Sequence, residues 1–278
     1  MNLKLLYITN DEKVAKIAEN AGVDRIFVDL ETIGKAERQF GRDTVKSVHA
    51  ISDIARIKAV LAHAELLVRV NPIYDGSKAE INAVIDAGAD IVMLPMITTL
   101  AQVKTFAELV DDRWCRMCML IETAESVEMI SDIIEIAPEA EYFIGLNDLH
   151  LAYGQTFMFE PLADGTVARI IEHMKSGGVT EFGFGGVARV GEEAVLSAEK
   201  IITEHHRLGS KMVILSRSFC NALEIKDLDE IREKMVSGVE NIRAFEKTLS
   251  DYTPAQYEEN RRAVVQAVES IKSRLKSY

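Results

Sequence analysis

Eight short apolar runs, each followed by a stretch with helical spacing, divide most of this 278-residue chain into one repeated unit. Runs of Leu, Ile, Val and Met with few polar positions are the pattern of strands buried on both faces, as a parallel sheet requires. They fall at Leu3–Thr9, Arg25–Leu30, Leu66–Val70, Ile91–Leu94, within Cys118–Glu125, within Glu141–Leu149, and at Glu181–Val187 and Met212–Leu215. Helical spacing predicts helices over Glu12–Asn20, Ala50–Ala62, Lys78–Ala87, Leu100–Val110, Gly165–Lys175, Glu192–His206 and Asp227–Leu249, with one more directly after the fifth run. Helix-to-strand links such as Ala21-Gly22-Val23-Asp24 and Ala87-Gly88-Ala89-Asp90 are short and carry a glycine suited to ending a helix. Eight strand–helix units in a chain of this length predict a (β/α)8 TIM barrel over residues 1–250. A doubly wound open sheet is the alternative, and it fits the strand number less well.

In such a barrel the strand C-termini form the reactive face. The polar residues there are Asp29 and Glu31, Arg69 and Asn71, Glu122, Asp148, Ser216 and Arg217, with Pro95, Gly185 and Gly186 beside them. Glu122 and Asp148 end consecutive apolar runs. Neighbouring parallel strands lie about 4.8 Å apart, so two such carboxylates can share one divalent cation. Each acid could instead cap the helix that follows. Arg69 could be a structural ion pair with Glu31 or Glu122 rather than a substrate contact.

Charge narrows the partners. A net charge of −12 argues against nucleic acid and against an anionic membrane surface. The amino terminus has too short an apolar run for a signal peptide, and no later run is long enough to span a bilayer, so a cytoplasmic protein is expected. Three cysteines suit a reducing compartment, and Cys115-x-x-Cys118 lies in a strand pattern with no second pair to complete a zinc site.

The motifs Asp29-Leu-Glu31, Arg69-Val-Asn71, Gly88-Ala-Asp-Ile-Val-Met-Leu-Pro95, Leu120-Ile-Glu-Thr123 and Gly145-Leu-Asn-Asp-Leu149, with Gly154 following, resemble the HpcH/HpaI aldolase and citrate lyase β-subunit family. The resemblance implies a lyase or aldolase that uses Mg²⁺ or Mn²⁺ to make or break a carbon–carbon bond beside a pyruvate- or acyl-thioester-type enolate. Glu122 and Asp148 would be the metal ligands, and Arg69 would stabilise the enolate oxygen. The backbone N–H groups of Leu146 and Asn147 would hold the carboxylate of a 2-oxo acid or acyl-thioester substrate, and Pro95 would also contact that substrate.

The chain departs from that pattern, and one departure bears on proton transfer. Thr32 stands where hydroxy-ketoacid aldolases of the family carry a histidine, and Leu120 where they carry glutamine. The acid–base residue is therefore sought among Glu31, His49 and His150, with Glu31 placed beside Arg69 as the catalytic pair. A catalytically idle barrel that binds a metabolite or serves as an assembly subunit, and a phosphoenolpyruvate mutase or phosphonate lyase, are the alternative readings. Gly183-Phe-Gly-Gly186 could admit a phosphate near the seventh and eighth strands, or be a tight packing turn.

After the breaker Tyr252-Thr-Pro254, residues 251–278 hold one more helix, with Val264, Val265, Val268, Ile271 and Leu275 in a stripe. A ninth outer helix has no reserved place on a barrel, so the stripe predicts a homo-oligomer unless the helix folds back on its own barrel.

Overall fold

The computed structural model describes residues 2–34, 49–110 and 114–275. Eight strands pair in chain order, all parallel, and β8 pairs back to β1, which closes the barrel. They are β1 (Lys4–Ile8), β2 (Arg25–Asp29), β3 (Glu65–Arg69), β4 (Ile91–Leu94), β5 (Arg116–Ile121), β6 (Glu141–Ile144), β7 (Phe182–Val187) and β8 (Met212–Leu215). Both faces of each strand are covered, which explains why the runs read as continuously apolar rather than alternating. Side chains of one parity, Leu6, Phe27, Leu67, Met93, Cys118, Leu120, Phe143 and Met212 among them, fill the lumen. Those of the other parity join the larger cluster under the helices.

The amino-terminal end of the lumen is closed by charge. Arg25 is fully buried and donates to both oxygens of Glu141 and to Glu65, while Arg116 pairs with the same two acids. Two cations against two carboxylates leave this plug neutral, and the opening lies at the other end.

The helices between strands are α1 (Glu12–Asn20), α2 (Ile51–Val60), α3 (Ser77–Asp86) and α4 (Leu100–Val110) in the first half. Asp11 caps α1 by accepting from the N–H groups of Lys13 and Val14. In the second half come α5 (Ala124–Glu128), α6 (Ile130–Ile136), α7 (Leu146–Ala152), α8 (Glu160–Ala163), α9 (Thr166–Ser176), α10 (Ala198–Leu208) and α11 (Leu228–Leu249), followed by α12 (Pro254–Leu275).

Three sequence expectations change. The helix after β5 is broken at Met129 into α5 and α6. The run within Glu141–Leu149 is strand only as far as Ile144, because α7 starts directly after Gly145 and takes Asp148 into its first turn. The helix after β7 begins at Ala198, six residues later than its polar spacing suggested. Most of the polar link between β2 and α2, residues 35–48, lies outside the described residues.

The stripe on α12 finds cover within the chain. Val264 and Val268 are buried where α12 packs on α8 and α10, and the seam is held by Lys272 on Glu160 (2.8 Å) and Asn260 on Glu204 (3.0 Å). Val265 and Ile271 are half-buried and Leu275 is exposed. The two buried valines thus give no reason of their own for a partner subunit.

Candidate active site

One cavity of about 640 Å³ opens at the strand C-termini, within the size range of small-molecule sites. Its lining includes Asp29, Glu31, Arg69, Glu122, Leu146, Asn147 and Asp148. The barrel register explains the convergence. Asp29 and Arg69 are direct neighbours on β2 and β3, and Ile121 lies beside Ile144, so Glu122 and Gly145 leave their strands side by side.

Arg69 is clamped. Its Nε and Nη2 donate to the two oxygens of Asp29 at 2.9 and 2.8 Å, Glu31 Oε2 lies 3.4 Å from Nη2, and the guanidinium sits 5.7 Å from the Phe27 ring centre. The two acids hold its proton more firmly than usual despite burial. Arg69 is therefore an ion pair, as the structural alternative held, but its main partner is Asp29 rather than Glu31 or Glu122. The bidentate clamp fixes the plane of the guanidinium.

Glu122 is buried, and one oxygen accepts the N–H of Met96 at 3.1 Å. Met96 follows Pro95 with φ of 52°, a left-handed conformation that is costly for a side chain of its size. That strained residue aims a backbone donor at the carboxylate. Burial pushes the Glu122 pKa up to about 8, and the charges of Asp148 and Glu31 add to the rise against the pull of Arg69 and the Met96 N–H. Glu122 does not cap a helix: Thr123 is the cap of α5 and accepts from Ser126.

Gly145 makes room for it. A Cβ there would stand 2.7 Å from Glu122 Oε2 and 2.9 Å from Glu122 Cβ. With φ of −85° the glycine is needed for space and not for conformation. Gly145 also opens α7, which has no side-chain cap, so the first N–H groups of the helix, at Leu146 and Asn147, are without intrahelical partners. Asp148 lies one position further on, half-buried at the same cavity.

A divalent cation fits this set. Four carboxylates, Asp29, Glu31, Glu122 and Asp148, face one clamped arginine, and the crowding shows in the proton affinity of Glu122. Two charges added between Glu122 and Asp148 would relieve it. Oxygen donors of this kind suit Mg²⁺ or Mn²⁺, which accept one or two carboxylates and take water or substrate oxygens for the rest. Among the described residues no three His, Cys, Asp or Glu side chains form a ready-made cage.

Other expected residues are placed elsewhere. Pro95 is buried but does not line the cavity, so its role is to precede Met96 and not to touch substrate. His150 is buried, with Nδ1 3.1 Å from the Leu146 carbonyl, and is outside the cavity lining. His205 stacks on Phe184 in the barrel wall, ring centres 3.8 Å apart. His49 does reach the cavity, and its Nδ1 accepts the Asp29 N–H at 2.9 Å. Thr32 is tied to Asn71 Oδ1 by its N–H at 2.8 Å. Asn71 in turn donates to Glu80, so it supports the β2 loop from behind. The sequence offered no sign of the Met96 donor or of Asp29 as the clamp. Only the barrel register brings them to the site.

The family profile described as HpcH/HpaI aldolase/citrate lyase matches residues 4–188. No curated protein sequence matches the chain. Among solved structures it is similar to an HpcH/HpaI aldolase from Desulfitobacterium hafniense DCB-2, at 15% identity over 91% of this chain and 95% of that one, with a TM-score of 0.60. An HpcH/HpaI aldolase/citrate lyase family protein from Burkholderia cenocepacia J2315 gives 17% identity over 83% and 95%, with a TM-score of 0.61. Macrophomate synthase gives 14% identity over 77% of each chain, with a TM-score of 0.54. At these identities the structures speak for the fold, and the profile speaks for descent. The chain belongs to the HpcH/HpaI aldolase/citrate lyase family.

Proposed function

We propose that the protein is a divalent-metal-dependent lyase or aldolase that makes or breaks a carbon–carbon bond beside the enolate of a pyruvate-type unit. The observation that carries this reading is the buried Glu122, crowded by Asp148 and Glu31 and set in one cavity with the clamped Arg69. A Mg²⁺ or Mn²⁺ ion at Glu122 and Asp148 would supply a Lewis acid and fix the orientation of two substrate oxygens. The N–H groups of Leu146 and Asn147 would hold the substrate carboxylate. Arg69, fixed by Asp29, would direct its remaining donors at the oxygen where charge develops as the bond breaks. Glu31 and His49 are the groups available to take the hydroxyl proton of the cleaved alcohol and return one to carbon.

Thr32, bound to Asn71 where the resemblance places a histidine, is the observation that favours a catalytically idle barrel. A cytoplasmic homo-oligomer belongs to the same proposal. The exposed Leu275 and the half-buried Val265 and Ile271 leave part of α12 open to a second copy, and light scattering of the full chain tests it. No helix among the described residues is long and apolar enough to cross a membrane.

The deciding experiment follows the methyl protons of pyruvate in deuterated solvent, with and without Mg²⁺ or Mn²⁺. Metal-dependent exchange that is lost in Glu122→Gln and in Asp148→Asn supports the lyase reading. Metal binding without exchange or oxaloacetate decarboxylation moves it to the idle barrel.

A further inference from the structure

Asn71 lies two residues beyond Arg69 and does not line the cavity, yet both ends of its amide are engaged. Its Oδ1 accepts the N–H groups of Thr32 at 2.8 Å and Ile33 at 3.0 Å, with the Thr32 hydroxyl at 3.3 Å. Its Nδ2 donates to Glu80 Oε1 at 2.8 Å, and the Asn71 N–H donates to the same oxygen at 3.2 Å. These partners decide which way the amide points. Turned over, it would set its oxygen against a carboxylate and its NH2 against two N–H donors. Pro72 restrains the backbone too, because the residue before a proline is driven to extended conformations. Glu80 is itself buried in the first turn of α3, where its N–H joins the helix at the Gly76 carbonyl (3.1 Å). The helix N-terminus favours a carboxylate at that place.

What this pair grips is the chain around Glu31. The Glu31 side chain is 2% exposed, while Thr32, Ile33 and Gly34 are all exposed, so the chain leaves the barrel at this acid. An exposed segment ordinarily gives its N–H groups to water. Here the Leu30 N–H donates to the Arg69 carbonyl at 2.9 Å and the Glu31 N–H to Asp29 Oδ1 at 3.2 Å, before Thr32 and Ile33 turn to Asn71. Successive N–H groups on both sides of Glu31 are thereby fixed at the ends of β2 and β3. Glu31 Oε2 stands 3.4 Å from Arg69 Nη2, beyond the ~2.8 Å of a charge-assisted hydrogen bond. Pinned before and after, the acid does not close fully on the guanidinium and stays at the cavity wall.

We propose that Asn71, braced by Glu80, is a positioning residue that holds Glu31 where its carboxylate can take a proton from a reactant in the cavity and return it. The inference rests on the lyase reading for the proton, but not for the clamp itself. Neither Asn71 nor Glu80 lines the cavity, so both act through the chain they hold. A proton-transferring group works only within hydrogen-bond reach of its partner, which makes the placement of Glu31 a matter of rate.

The first test needs no catalysis. Amide hydrogen exchange should find Thr32 and Ile33 protected in the wild type and exchanging about tenfold faster or more in Asn71→Ala, with β3 unchanged. Equal exchange in the two proteins overturns the proposal. The second test follows pyruvate methyl-proton exchange with Mg²⁺, per mole of folded protein. Asn71→Ala should lower kcat about tenfold or more, with KM and Mg²⁺ affinity within about twofold of the wild type. In a Glu31→Gln background the same substitution should cost nothing further. An unchanged kcat in Asn71→Ala, or an equal loss in the Glu31→Gln background, refutes the positioning role. Asn71→Asp, which sets two carboxylates against each other, should lose protection and kcat as alanine does. Adding Glu80→Gln restores a donor–acceptor pair and should recover both, and no recovery overturns the brace. A wild type that shows the amide result but exchanges no pyruvate protons would instead remove the lyase reading and leave the clamp standing.

Discussion

Gly145→Ala is the sharpest test of how the site is built. The added methyl would lie 2.7 Å from Glu122 Oε2, 2.9 Å from its Cβ and 3.2 Å from Leu120 Cδ1. Ordinary carbon contacts begin near ~3.5 Å, so Glu122 must retreat by more than half an ångström or the β6–α7 junction must open. The Cβ contact is the harder to relieve, because that atom moves only with the backbone after β5. Overpacking of this kind costs about 1–3 kcal/mol, a fall in Tm of roughly 2–10 °C for a chain of this size. The effect on function should be larger. A displacement on the order of 1 Å at a positioned group can cost ~10²-fold, so Mg²⁺ affinity and pyruvate exchange should both drop by at least tenfold. Gly154→Ala is the control: unlike Gly145 it has a positive φ of 64°, which an alanine strains by about 1–2 kcal/mol, but the new Cβ meets nothing within 4 Å. The assay is a Mg²⁺ titration by thermal shift on the three proteins at one pH. If Gly145→Ala binds Mg²⁺ as the wild type does, the steric account of Glu122 is wrong.

Three further outcomes are expected. Arg69→Lys should lower kcat on the order of 10²-fold, and because the fork is seated on Asp29 it should also lower Tm, read by calorimetry; an unchanged kcat would remove Arg69 from the chemistry. With the Glu122 pKa near 8, the metal-free folded state holds a proton there that the unfolded state releases near 4.5. Its contribution to stability therefore falls as pH rises from about 4.5 to 8, and Mg²⁺ binding should tighten up to about tenfold per pH unit until pH 8, checked by calorimetry in buffers of different ionisation enthalpy. Glu19 behaves oppositely. Burial raises its pKa, but the N–H of His63, the Lys16 ammonium and the N–H groups of Ala64 and Ala62 outweigh that and bring it down to about 2. Its stabilisation is complete above pH 4.5 and is lost as pH falls through 2, so Glu19→Gln should cost about 1–2 kcal/mol at pH 7 and much less at pH 2, measured by urea unfolding.

The barrel was legible because burial on both strand faces leaves a mark in composition. No polar residue is tolerated within β4, and the acids of Asp29-Leu-Glu31 and Ile121-Glu122 appear only where each strand reaches solvent. Glu122, Asp148 and Arg69 could be singled out as candidates for the same reason, since a charge at the end of an apolar run has few structural uses, whereas Leu146 and Asn147 enter only through the family resemblance. Their partners could not. That Arg69 is clamped by Asp29, forty residues earlier, follows from the register between β2 and β3. The Met96 donor depends on a backbone conformation that no side chain announces. His49 and His150 look alike along the chain, yet one borders the cavity and the other turns into its own helix. The α12 stripe shows the same limit from outside the barrel. Helical spacing establishes that one face must be covered, because its apolar side chains recur every three or four residues. What covers it is a matter of where α8 and α10 stand in space, which depends on every strand before them.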